Sequence, residues 1–105
     1  MRLDIHQDSA VITGNFNDDK QVWNAVLEAA HDAGLTVLGT LSHEFYPQGF
    51  SGIILLAESH VAIHTFPENN EAWVYVATCG EVGNDKLTKF MATITSTWEV
   101  KHETS

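Results

Sequence analysis

The sequence predicts a two-layer α+β sandwich, a mainly antiparallel sheet carrying two helices on one face. Three observations predict it. Strand-like segments follow one another without intervening helices, which suits antiparallel pairing. Two segments repeat their apolar residues at three- and four-residue steps, as amphipathic helices do. A length of 105 residues with 44% hydrophobic content supports one core and is too short for two, so residues 1 to 105 are treated as one domain.

Arg2 to Ile5 and Ala10 to Thr13 read as short extended segments, a strand or a hairpin, ending at a Gly14-Asn15 turn. Asn17 or Asp18 can cap the first helix, whose stripe is Val22, Trp23, Val26, Leu27 and Ala30 and whose end is Gly34. Leu35 to Leu38 and Leu41 to Tyr46 return to strand character up to a Pro47-Gln48-Gly49 turn. Ile53 to Leu56 is an unbroken apolar run, and His60 to Thr65 has the composition of a pleated surface. Ala57-Glu58-Ser59 interrupts them. Trp73 to Ala77 is a further strand, with Trp73, Tyr75, Ala77 and Cys79 on one face. Asn84 or Asp85 is expected to cap a second helix with the stripe Leu87, Phe90, Met91, Ile94 and Trp98. The tail from Val100 is too short to assign.

Composition excludes several functions. A formal charge of −9 offers no basic footprint for a phosphate backbone, so nucleic acid is not an expected partner. Apolar runs fall far short of the roughly 20 residues of a membrane-spanning helix, so no membrane association is expected. The first six residues lack the apolar core of a secretory leader, which leads to an expected cytoplasmic location. The lone Cys79 cannot form an internal disulfide. There is no glycine-rich phosphate loop, internal repeat or low-complexity linker.

Four polar features stand inside this strand-like sequence: Ser51, Glu58-Ser59-His60, His64 and Cys79. Singly, each has a plain structural reading as a turn residue, a hydrogen-bonded core group or packing. A metal site on His60, His64 and Cys79 is disfavoured, because four residues along a strand span about 13 Å, whereas ligand bonds are about 2 Å. No metal is expected. A serine or cysteine hydrolase is a second possibility. Ser59 lacks the G-x-S-x-G elbow, and Cys79 could work with His64 only if the fold joined them. Spacing alone leaves that open.

Taken together, Gly39-Thr-Leu-Ser-His-Glu-Phe45, Pro47-Gln-Gly-Phe-Ser-Gly52, Glu58-Ser-His-Val-Ala-Ile-His-Thr-Phe-Pro-Glu68 and Thr78-Cys-Gly80 closely resemble the small prokaryotic S-adenosylmethionine decarboxylases. These are pyruvoyl enzymes, made as proenzymes. The resemblance implies that the chain cuts itself between Glu58 and Ser59, giving residues 1 to 58 and 59 to 105, and that Ser59 becomes a covalent pyruvoyl group. Such a ketone supplies the electron sink that ordinary side chains lack. It implies further that His64 is the processing base and that Ser51 holds the processing intermediate. Cys79 would reprotonate the product carbon, Glu68 would bind the ribose hydroxyls, and Phe45 and Phe66 would line the site of S-adenosylmethionine. A homodimer of cleaved protomers, with sites at the subunit junction, and a place in polyamine synthesis are implied in the same way. On a regular strand Ser59 and His64 face opposite sides, so a turn or bulge near Glu58 is expected.

The sequence departs from the family pattern at Asn69, Asn70, Glu71 and Tyr75 and lacks the usual Gly-x-His opening. These departures leave two other readings. In one, the same chemistry acts on ornithine or arginine, with Glu71 near the pocket to hold a second cationic group. In the other, the chain is a non-catalytic regulatory homologue.

Overall fold

A computed structural model describes residues 4–80 and 82–103. It contains β1 (Ile5–Thr13), α1 (Asp19–Asp32), β2 (Val37–Glu44), β3 (Phe50–Leu56), β4 (Ser59–Phe66), a short 3₁₀ turn (Pro67–Asn69), β5 (Glu71–Cys79), α2 (Gly83–Thr97) and β6 (Glu99–Glu103). All six strands form one sheet in the order β2-β3-β4-β5-β1-β6, and every neighbouring pair is antiparallel. The helices cover one face, giving the expected two-layer α+β sandwich. No helix among the described residues is long and apolar enough to cross a membrane.

The first helix begins and ends as its sequence dictates. Asp18 accepts the Gln21 amide at 3.1 Å, satisfying one of the donors that a helix start leaves unpaired. At the other end Gly34, at φ 81°, donates to the His31 carbonyl, and Leu35 donates to that of Ala30. That pair of bonds is the Schellman arrangement, which favours glycine. The stripe Val22, Val26, Ala29 and Ala30 is buried against the sheet. Trp23 lies across Gly52, where an added Cβ would come within 2.5 Å of its ring, and meets Phe50 edge-on at 5.9 Å.

The core lies between the layers and includes Ile12, Phe16, Ile54, Val61, Ile63, Val74, Val76, Phe90 and Ile94. Along β4 burial alternates, with Val61, Ile63 and Thr65 inward and His60, Ala62, His64 and Phe66 on the opposite face. A strand with one buried face produces that period of two.

Three expectations need correction. The N-terminal segment is one strand from Ile5 to Thr13, not a hairpin, because continuous pairing with β5 carries it through Gln7 and Asp8; the start of the expected Arg2 to Ile5 segment lies outside the described residues. The second helix starts at Gly83, after Val82, with no side-chain cap. The chain is already winding at the Gly80–Gly83 turn and Thr78 donates to the Gly83 carbonyl, which places Asn84 and Asp85 inside the first turn. The unassigned tail forms β6, paired antiparallel with β1.

Candidate active site

The β3–β4 hairpin turns at Ala57-Glu58, and its geometry bears directly on the Glu58-Ser59 bond. Leu56 pairs with Ser59 across the turn, and Ser51 pairs with His64 at the far end. Ser59 has φ 153°, a conformation a side chain resists and one that costs about 1–3 kcal/mol. Its hydroxyl lies 3.3 Å from His60 Nδ1.

The Glu58 carbonyl accepts the Cys79 amide at 3.0 Å. A carbonyl so bonded is polarised toward attack, and the same donor is in place for an oxyanion. The Glu58 side chain is held as firmly. Thr36 donates its amide to Oε1 at 2.9 Å and its hydroxyl to Oε2 at 3.1 Å, and Lys86 Nζ reaches Oε2 at 3.1 Å. Burial by itself raises the carboxyl's pKa, but the Thr36 amide, the Lys86 ammonium and the Thr36 hydroxyl outweigh it. The net effect holds the group below its ordinary 4.5.

At the opposite end of the hairpin, Phe45, Ser51, His64, Phe66 and Glu68 line one cavity of about 310 Å³ together with Gln48 and Thr65. Ser51 Oγ stands 2.7 Å from His64 Nδ1. The His64 ring stacks on Trp73 at 5.3 Å, and His43 meets Phe45 edge-on at 4.8 Å. These contacts fix the imidazole and one aromatic wall.

The eight residues singled out from sequence therefore fall into two groups within one chain. Glu58, Ser59 and Cys79 gather at the turn, and the other five gather at the cavity. Ser59 and His64 are five strand residues apart, about 17 Å, so the turn at Glu58 distorts Ser59 without bringing it to His64. His60 and His64 share the outer face of a strand, four residues apart.

Spacing did not single out Thr36, Lys86, Tyr75 or Trp73 for this role, because they reach the site from three separate stretches of sequence, the last two from β5. Tyr75 packs on His60 at 5.5 Å and donates to Gln7 Oε1 at 2.6 Å. Glu71 is ion-paired with Lys101 and lies outside the cavity. That placement corrects the expectation that it could receive a second cationic group of a substrate.

The model of the S-adenosylmethionine decarboxylase family matches residues 9–104. The chain belongs to that family. It is 49% identical over 65 residues to the S-adenosylmethionine decarboxylase proenzyme of Prochlorococcus marinus (strain MIT 9313), covering 62% of this chain and 52% of that protein. To the proenzyme of Moorella thermoacetica it is 48% identical over 65 residues, again covering 62% and 52%. The chain thus spans about half the length of the curated relatives it matches. The crystal structure of the adenosylmethionine decarboxylase of Aquifex aeolicus superimposes with a TM-score of 0.83 at 29% identity, covering 99% of this chain and 88% of that one. Family and fold agree across almost the whole sequence.

Proposed function

We propose that the chain is a self-processing, pyruvoyl-dependent decarboxylase of S-adenosylmethionine. The observation that carries this reading is the Glu58-Ser59 peptide: a serine at φ 153° follows a carbonyl that already accepts the Cys79 amide. Ser59 Oγ bonds to the Glu58 carbonyl carbon and the carbon–nitrogen bond breaks, leaving an ester and a free amine. The hydroxyl proton passes through His60 to that nitrogen. Removal of the Ser59 α proton then expels Glu58 as a carboxylate. Water releases the nitrogen as ammonia, and a ketone remains at position 59.

The residues fit such a group, since a hydroxyl, the strained φ of Ser59 and a carbonyl that accepts the Cys79 amide adjoin the bond to be cut, which supports this reading. Once formed, a ketone beside an amide accepts the electron pair released as carbon dioxide leaves. Cys79, next in the chain to the strand partner of Ser59, is the proton donor to the product carbon in this reading. The cavity takes the nucleoside part of the substrate. Phe45 and Phe66 offer ring faces for adenine or the sulfonium, and Glu68 offers a carboxylate to the ribose hydroxyls.

His64 is assigned the α-proton step, and its separation from Ser59 favours a homodimer that forms before the cut and persists as cleaved protomers. The sheet face opposite the helices carries Leu41, Ile53, Leu55 and Trp73, which are 73, 46, 56 and 43% exposed. Two such faces packed together with their β4 strands opposed would set one chain's cavity against the other's turn. An imidazole held by Ser51 on one ring nitrogen and by Trp73 on its face is oriented to take a proton.

Release of carbon dioxide from carboxyl-labelled S-adenosylmethionine tests the assignment, with ornithine and arginine as competitors for the role. Turnover of the sulfonium substrate alone is expected. Turnover of either amino acid instead would overturn the substrate assignment, and the Glu71–Lys101 pair argues against that outcome.

A further inference from the structure

We infer that Lys86 and Thr36 form a clamp on the Glu58 carboxylate that sets the rate of self-cleavage. The inference rests on the proposed processing reaction and adds two positioning residues to it. The turn is tied to Thr36 by three hydrogen bonds: Ala57 donates to the Thr36 carbonyl at 3.0 Å, and Thr36 donates its amide and its hydroxyl to the two Glu58 oxygens. Lys86 closes the clamp from α2. The ion pair is mostly withdrawn from water, with side chains 28 and 13% exposed. In a chain with 14 acids and five bases, one of the scarce cations is spent here.

The electrostatic reason is specific. Attack by Ser59 puts negative charge on the Glu58 carbonyl oxygen, only a few bonds from that residue's own carboxylate. Two like charges so close oppose the transition state, and the opposition is strongest where water is scarce. Lys86 and the two Thr36 donors spread the carboxylate charge before the oxyanion forms. The Cys79 amide is then left to stabilise the new charge. After the cut Glu58 ends its chain with a second carboxylate, and the same cation holds that end beside the new group.

The test follows conversion of freshly synthesised full chain into two fragments over time by denaturing mass analysis. Lys86→Met is expected to slow cleavage roughly tenfold to a hundredfold, and Lys86→Arg to stay near the wild-type rate. Glu58→Gln placed on Lys86→Met should restore most of the loss, because the unneutralised charge has gone. Thr36→Val, which removes only the hydroxyl, should slow the reaction less. Melting curves of the same substitutions in an uncut Ser59→Ala background register any general loss of fold. Unchanged cleavage in Lys86→Met overturns the clamp. So does a slow Lys86→Met chain that Glu58→Gln fails to rescue, since a merely structural lysine behaves that way. A wild-type chain that never cuts overturns the processing reading itself, a separate result.

Discussion

At Ser59 the proposed role as nucleophile rests on one backbone angle, φ 153°, and on one hydrogen bond, from the Cys79 amide to the Glu58 carbonyl. Ser59→Ala is expected to leave one uncut chain of 105 residues with its fold retained, because the hydroxyl contributes only a 3.3 Å contact to His60; denaturing electrophoresis checks this. Glu58 gives a pH dependence whose sign is fixed. Its folded pKa is depressed, so the unfolded chain binds more protons, and the carboxylate's contribution to stability is full above its ordinary 4.5 and lost as pH falls through the folded value. Denaturation of the uncut Ser59→Ala chain should therefore weaken across that acid range, and less steeply when Glu58→Gln is added. The identity of these side chains was legible in the sequence, since Glu-Ser-His and Thr-Cys-Gly name them. The clamp was not, because Thr36 and Lys86 lie 22 and 28 residues from Glu58 in sequence and carry no pattern of their own.

Among the elements, the first helix was the most legible, since its stripe, its aspartate cap and its terminal glycine all agree. Asp18→Ala should cost about 1 kcal/mol by urea denaturation, the usual worth of such a cap. Gly52→Ala should cost about 1–3 kcal/mol, as overpacking does, because the new methyl meets Trp23. The Asn84 or Asp85 cap failed for a physical reason. Side-chain capping signals the start of a helix only when the chain enters it from an extended conformation, and here a turn at Gly80 to Gly83 leads in. β6 escaped notice because five residues of mixed polarity carry little period; its pairing with β1 stabilises it. β1 was split for the converse reason, its polar middle concealing one continuous ladder.

Over the whole molecule, the sequence named the residues of both clusters but not their separation. Strand parity foretold that Ser59 and His64 conflict, and the turn at Ala57-Glu58 was anticipated near the right place. The hairpin's length then puts the proposed nucleophile and the proposed α-proton base at opposite ends. The proposed dimer resolves that separation and makes a genetic prediction. A His64→Asn chain expressed alone should stay uncut. Expressed with a Ser59→Ala chain, it should be cleaved, because the intact His64 arrives from the other copy; continued failure would return His64 to a role within its own chain. Leu55→Glu on the exposed sheet face should shift the protein toward monomer in sedimentation and reduce processing with it.

The measurement that reaches the central claim most directly is denaturing intact-mass analysis of the purified wild-type protein. Two fragments divided between Glu58 and Ser59 are predicted, the second lacking a free amino terminus and carrying the mass of a pyruvoyl group in place of serine. A single chain with the unmodified mass, persisting on long incubation, would contradict the account.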